Sequence, residues 1–330
     1  MSEKSKLKLS PSRTKTFFDC SLKYWYGYKG HKNGECGIPG TSNDGARRGG
    51  VTHAVLECLS NPKRRKKVEK MTELKDPWHD EATRRLAYIL AVKEGVHDHD
   101  NFEMIRQFIL AAIQSDFYCD GADSVEIERH FLLEGDGFTL NGFIDKAAVG
   151  KDSVRIIDYK TSKKKFSKEE LNFNLQNYFY TYAAQQLWPG KTVTFDFQFL
   201  KFPPKVTQTA PTIGEREMEG FSVWLKEVSQ HIDSLTFEDA KGNTPKDKGP
   251  GKSWACGKKD LTAKKPDGSE HWACDYRKPF LYFALSRDGK TIKTDRNRIE
   301  LDKIKKEGDL ILQCSHPGCW AWREELKNNS

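Results

Sequence analysis

No run in this 330-residue chain approaches the roughly eighteen uninterrupted apolar residues that a membrane span requires. The opening MSEKSKLKLS has no apolar core of the kind a secretory leader carries. Both absences lead to the expectation of an intracellular, cytoplasmic protein with no membrane partner. No internal repeat runs through the chain, so its length is read as one large domain or two modest ones, either with room for a sizeable core. Without a leader, the eight cysteines do not suggest a disulfide framework, and free thiols or metal ligands are expected instead.

What is present is charge, unevenly placed. Lys and Arg number 55 against 47 Asp and Glu, a net +8, and the excess gathers in NPKRRKKVEK (61–70), KTSKKKFSK (160–168) and the tract from Lys246 to Lys265. Taken singly, each run reads as a solvated face or loop. A run beside reactive groups would instead point to a polyanionic partner.

Periodicity divides the chain. SPSRTKTFFDCSLKYWYGY (10–28) predicts a capped helix that turns Phe17, Phe18, Tyr24 and Tyr26 inwards. Residues 31–50 carry glycine at 34, 37, 40, 45, 49 and 50 and read as loop, and GGVTHAVLECL then takes up helical spacing. Residues 77–118 predict two or more helices. After Asp120-Gly121 the period falls to two through SVEIERHFLL, FTLNGFIDKAAV and SVRIIDYKT, a meander with turns at EGDG and VGKDS. KEELNFNLQNYFYTYAAQQLW predicts a helix, TVTFDFQFLKF a strand and FSVWLKEVSQHIDSL an amphipathic helix. That order implies an α/β fold with a mixed sheet and helices packed upon it.

RIIDYKT (155–161) holds the chemistry. Residues two apart on a strand share a face, so Asp158 and Lys160 point one way while Ile157 and Tyr159 point the other. If the neighbouring strand pairs through VGKDS, Asp145 of GFID comes beside Asp158. Two carboxylates can hold a hard divalent cation such as Mg2+ or Mn2+. A nearby lysine can orient or deprotonate water, or add its own positive charge. Asp-x-Lys by itself is short enough to be an ordinary ion pair at a strand end, and its context carries the argument.

That context resembles the RecB-like branch of the PD-(D/E)XK nuclease superfamily. Gly142 and Asp145, then Asp158-Tyr159-Lys160-Thr161, then Gln176 and Tyr180 match its Gly-x-x-Asp, Asp-Tyr-Lys-Thr and Gln-x-x-x-Tyr pattern, while Gly49 and His53 match its Gly-x-x-x-His helix. The segment around Cys20 resembles the CRISPR-associated RecB-like exonucleases and the AddB nuclease domain, where a lone cysteine at that place binds an iron-sulfur cluster. The resemblance covers most of residues 10–200. It implies a restriction-endonuclease-like core: a mixed central β-sheet flanked by helices, with a helical insertion and a Cys-containing C-terminal region. The expected division is an N-terminal helical region at 1–120 carrying Cys20 and His53, a nuclease core at 121–235 and a basic C-terminal region at 236–330. Metal ligation is implied for His53, Asp145, Asp158 and the Tyr159 carbonyl, and catalysis for Lys160 with Asp145 and Asp158. Glu126 and Glu128 share a strand face, and Glu128 fits the spacing of an additional acidic catalytic residue better. Gln176 and Tyr180 lie four apart on one helix face, suited to contact DNA or support the site, with Lys163, Lys164 and Lys165 as phosphate contacts.

The cluster-bearing relatives place three further cysteines near the C-terminus, and this chain departs from their spacing: Phe280 stands where the third would fall. Cys256 and Cys274, with Cys314 and Cys319, are the candidates to join Cys20 around an iron-sulfur cluster or zinc, and His316 is another possible ligand. Cys36, Cys58 and Cys119 read as small buried hydrophobes. The functional expectation is a Mg2+- or Mn2+-dependent deoxyribonuclease, an exonuclease on single strands or duplex ends in recombination, repair or phage DNA processing. The alternatives are an endonuclease of the same fold, an inactive DNA-binding module and, on the cysteines alone, a zinc-stabilised adaptor.

Overall fold

The computed structural model describes residues 7–30, 36–242, 244–245, 255–257, 264–266, 268 and 271–322. Most of the Lys246–Lys265 tract thus lies outside the described residues. In chain order the elements are β1 (Leu7–Leu9), α1 (Pro11–Asp19), α2 (Ser21–Tyr24) running into a π-helical turn at Trp25–Lys29, α3 (Asp44–Leu59), α4 (Arg65–Glu73), α5 (Glu81–Glu94) and α6 (His99–Ile113). There follow β2 (Ser124–Glu134), β3 (Phe138–Val149), β4 (Ser153–Lys160), α7 (Lys168–Asn172), α8 (Leu175–Leu187), β5 (Thr192–Phe199), β6 (Thr207–Thr209) and α9 (Glu215–Ser234). α10 (Phe237–Gly242), β7 (Phe280–Arg287), β8 (Lys290–Asp295), α11 (Arg298–Asp302) and β9 (Leu310–His316) complete the set. No described helix is long and apolar enough to cross a membrane. The chain divides into two compact units, Met1–Pro11 with Ser42–Ser229 and Ser12–Thr41 with Gln230–Ser330, so that His53 belongs to the first and Cys20 to the second.

The first unit is a mixed six-stranded sheet flanked by helices, the arrangement expected of a restriction-endonuclease-like core. β2, β3 and β4 form the predicted antiparallel meander, whereas β5 lies parallel to β4, as strands joined through a helical crossover do. On one side of the sheet the apolar stripes of α3, α4, α5 and α6 close a core around Val55, Leu56, Met71, Ala87, Ile105 and Ile109, which also takes in Ile157 and Tyr159 of β4. Burial of such side chains supplies about 1.5–3 kcal/mol each. Elsewhere α8 packs against the sheet, with the Tyr180 ring stacked 5.7 Å from Phe195 and edge-on to Phe131 at 6.0 Å.

Two helix boundaries differ from the periodicity. α3 begins at Asp44, inside the glycine-rich stretch read as loop, because the Asn43 side chain accepts from Ala46 N at 2.9 Å and caps the first turn. The helix expected over 168–188 breaks after Asn172. Asn174 leaves helical geometry, with ψ at 109°, and its side chain caps α8 by accepting from Gln176 N at 3.0 Å.

The second unit contains a three-stranded antiparallel sheet in the order β8-β7-β9, turned at Asp288-Gly289, where both residues have positive φ (49° and 76°). Such a pair suits a tight hairpin. Phe17, Tyr24 and Tyr26 are buried as expected, but Phe18 is 52% exposed. Arg277 is fully buried, its guanidinium lying over the Trp322 ring at 3.6 Å.

Candidate metal centre

Three strands meet imperfectly at the site. β3 pairs with β1 through Phe138–Leu140 and with β4 from Lys146 onwards. Between these ladders Asp145 replaces a backbone partner with its side chain: Tyr159 N donates to Asp145 Oδ2 at 2.8 Å. The carbonyl of the same residue is 3.0 Å from His53 Nε2. His53 Nδ1 in turn lies 3.4 Å from Asp145 Oδ2. Helix and strand can approach this closely because Gly49, one turn before His53, has no side chain: a methyl group there would come within 3.0 Å of Thr161 Oγ1. Gly142 has a similar steric role on β3, where an added Cβ would sit 2.6 Å from the Phe131 ring.

Glu128 completes the group. Ile127 pairs with Lys146 and Arg129 with Ile144, so Glu128 stands opposite Asp145. Its φ is +46°, a left-handed conformation that costs an L-residue about 1–2 kcal/mol. Such strain gathers at functional sites. Ligand atoms of His53, Glu128 and Asp145 all lie within 4.8 Å of one another. Glu126 points elsewhere, accepting from Trp188 Nε1 at 3.3 Å and pairing with Arg129 at 3.4 Å.

Beside this triad is the pair read from the sequence. Lys160 Nζ lies 2.6 Å from Asp158 Oδ2 and donates to Gln176 Oε1 at 2.7 Å, while Gln176 Nε2 donates to Asp158 Oδ1. The side-chain amide therefore orients acid and base together. Asp158 Oδ2 is buried, with the Lys160 ammonium as its charge partner.

Electrostatics mark the same place. Burial, then the charge of Asp145, pushes the Glu128 carboxyl up to about 7. Burial alone would lower the His53 imidazole, but its hydrogen bond to Asp145 and the charges of Asp145, Asp158 and Glu128 outweigh that and raise it to about 9. Asp158 is raised by burial, against the opposing pull of Lys160. Several acidic groups crowd a site with too little positive charge to keep them all ionised, and a divalent cation would relieve that repulsion.

The structure thus brings together His53, Glu128, Asp145, Asp158, the Tyr159 carbonyl, Lys160 and Gln176. Of the two roles read for Tyr180, contact with DNA or support of the site, its burial against Phe195 and Phe131 suits the second. Lys163 and Lys164 are exposed after β4, whereas Lys165 donates to the Lys205 carbonyl. Sequence reasoning passed over Glu57, whose charge acts on Glu128. Its spacing of four from His53 along α3 was the available signal.

In the second unit, burial comes first in raising the thiols of Cys20 and Cys319 to about 12 and that of Cys274 upwards. The neighbouring thiols add to it: Cys274 and Cys256 act on Cys20, Cys256 acts on Cys274, and all three act on Cys319. Cys314 lies on β9 with Tyr282 as its hydrogen-bond partner. His316 is buried among Tyr26, Tyr276 and Phe280, with Nε2 3.2 Å from the Tyr276 carbonyl.

The family model described as the PD-(D/E)XK nuclease superfamily matches residues 8–258. No curated protein matches the chain. Among solved structures, protein VC1899 from Vibrio cholerae is similar over 71% of this chain and 59% of its own, at 12% identity and a TM-score of 0.22.

Proposed function

This chain belongs to the PD-(D/E)XK nuclease superfamily, whose members act on nucleic acid, and on that premise we propose a metal-dependent deoxyribonuclease of the RecB-like branch. Its reaction is hydrolysis of phosphodiester bonds, as an exonuclease on single strands or duplex ends. The observation that carries this reading is the convergence of His53, Glu128 and Asp145 within 4.8 Å beside the Asp158–Lys160 pair.

The donor set fits a hard divalent cation. Oxygen donors dominate, and one imidazole joins them. His53, Glu128 and Asp145 would hold Mg2+ or Mn2+, with Asp158 and the Tyr159 carbonyl beside them as further oxygen donors. When bound, the cation supplies Lewis-acid stabilisation of the charge that develops on phosphate. Lys160, held by Gln176, keeps an ammonium at the reacting position, where it orients water and adds positive charge. Lys163 and Lys164 draw the phosphate backbone towards the end of β4 with a salt-dependent affinity.

Cys20, Cys256, Cys274 and Cys319 form the second part of the proposal, a structural metal centre. Burial and the mutual influence of these thiols single them out as one set, suited to an iron-sulfur cluster, as the resemblance implies, or to zinc.

The test is incubation of end-labelled single-stranded and duplex DNA with the protein and Mg2+ or Mn2+, beside Lys160→Ala. We expect degradation by the wild type and a loss of at least about a hundredfold in the variant. Equal activity in both would overturn the site assignment. A closed circular single strand that survives while its linear form is degraded would establish the exonuclease mode.

A further inference from the structure

The loops that follow β4 and β5 lie side by side beyond the ends of those strands. β4 and β5 are parallel, with Lys160 opposite Phe199, and Leu200 N extends the pairing by donating to the Lys160 carbonyl at 2.9 Å. Further on, Lys165 Nζ donates to the Lys205 carbonyl, and Phe166 and Gln208 exchange hydrogen bonds at 3.0 and 3.1 Å. The loop after β5 is held at both ends: Phe199 N donates to the Val206 carbonyl at 2.8 Å, and Leu200 and Val206 are buried in the helical core. Between these anchors Lys201 and Lys205 are exposed, as Lys163 and Lys164 are in the neighbouring loop. All of these residues fall within the first compact unit.

We propose that Lys201 and Lys205 complete, with Lys163 and Lys164, a phosphate-binding surface along which the DNA strand runs beside the metal centre; the inference rests on the nuclease reading above. Three observations support it. First, the charge is of one sign and open. Residues 159–168 and 197–214 contain no Asp or Glu, and among the described residues none of the four lysines is ion-paired. The basic run at 61–70 differs, because Arg65 meets Asp120 at 2.5 Å, Lys67 meets Asp80 at 2.8 Å and Lys70 meets Glu73 at 2.9 Å. That run is largely neutralised from within, whereas the paired loops leave their field to a polyanion. Second, the surface adjoins the chemistry. Neighbouring strands lie about 4.8 Å apart, so the loop that carries Lys201 begins beside Lys160. Third, the anchoring of both loops means that little backbone has to be ordered on binding. Contacts to phosphate carry no base information, so a surface of this kind accepts any sequence.

The test uses the full-length protein with Ca2+ in place of Mn2+ to hold back cleavage, and fluorescence anisotropy of a labelled thymidylate strand across about 50–200 mM KCl. A single strand releases about 0.7 counterion per phosphate contact, so Lys201→Gln/Lys205→Gln should reduce the slope of log affinity against log salt by about 1.4. Over the decade from about 1 M to ~0.1 M salt, that slope amounts to an affinity about 25-fold weaker. Lys201→Arg/Lys205→Arg should keep the wild-type slope. So should Lys93→Gln/Lys151→Gln, which removes two exposed lysines elsewhere on the first unit, one of them in the turn at the far end of β4. With Mn2+ the Lys201→Gln/Lys205→Gln variant should raise KM and leave kcat unchanged, since these lysines hold substrate and transition state alike. The substituted residues are exposed, so circular dichroism of every variant should match the wild type. A slope unchanged in Lys201→Gln/Lys205→Gln would overturn the proposal. So would an equal reduction in Lys93→Gln/Lys151→Gln, which would assign the effect to net charge. A wild type that neither binds nor cuts DNA defeats the nuclease reading itself, whereas one that cuts with a slope indifferent to Lys201 and Lys205 defeats the surface alone.

Discussion

Glu128→Gln should make the metal-free protein more stable at pH 8. The carboxyl is raised from 4.5 to about 7 by burial and by the Asp145 charge. At 1.36 kcal/mol per decade this corresponds to roughly 3 kcal/mol opposing ionisation. The side chain is only partly buried, so solvent screens the repulsion and about 1–2 kcal/mol is the better figure. Because the folded value lies above the unfolded one, the penalty is absent below about pH 4.5, grows through the interval and is complete above about pH 7. The glutamine keeps the shape and the left-handed backbone of the original residue, so the variant differs chiefly in charge. Thermal unfolding in EDTA should show a midpoint about 2–8 °C above wild type at pH 8 and no difference at pH 4.5. In saturating Mn2+ the order should reverse, because wild type gains about 2.7 kcal/mol at a hundred times the dissociation constant while the variant gains much less. A variant no more stable than wild type in EDTA at pH 8, one whose gain persists at pH 4.5, or one that keeps the full Mn2+ stabilisation would refute the reasoning.

Mn2+ must displace the protons held by His53, near 9, and Glu128, near 7. Its apparent affinity should therefore rise from pH 6 to pH 9, about tenfold per pH unit wherever one proton is released; isothermal titration checks this, and a flat profile would contradict it. Gly49→Ala should leave the unfolding midpoint unchanged or higher, since alanine is the better helix former by about 1 kcal/mol. The same change should lower turnover at least about tenfold by pushing α3 away from Thr161, with Gly49→Ala/Thr161→Ala recovering most of the loss. Anaerobically purified protein should absorb near about 400 nm, and Cys20→Ser should lose that band, whereas Cys314→Ser should keep it.

Much of the first unit was legible because its signals are local. The meander from Ser124 to Lys160 shows a strict period of two, and an aspartate and lysine two apart on a strand share a face whatever lies around them. The choice between Glu126 and Glu128 was harder to read, since both occupy the same face of an ideal strand. The structure separates them by a departure from ideality, the positive φ of Glu128, which no periodicity reports. The role of Tyr180 was left open for a related reason: helical spacing from Gln176 places both on one face, but burial is decided by Phe195 on a strand that follows in the chain. In the second unit the hairpin at Asp288-Gly289 carries a recognised turn signal, yet a reading centred on RIIDYKT passes over it. Which cysteines gather was beyond sequence spacing, because Cys20 and Cys319 meet through tertiary structure alone.

The parting of β3 from β4 connects these observations. A continuous antiparallel ladder would have paired the main-chain groups of Tyr159 with β3 and left none for chemistry. Here the Asp145 carboxylate takes the N–H and the carbonyl turns to His53. The ladder is interrupted without leaving a buried donor unpaired, which would cost about 1–3 kcal/mol. Gly49 brings the helix that carries His53 close to this interruption, and the strained Glu128 stands across from it. Small local concessions in backbone regularity thus concentrate oxygen donors at one point of an otherwise regular sheet, and the acid-base pair of RIIDYKT lies at its margin. The pair is short and common as a sequence; its chemistry comes from the strand opening beside it.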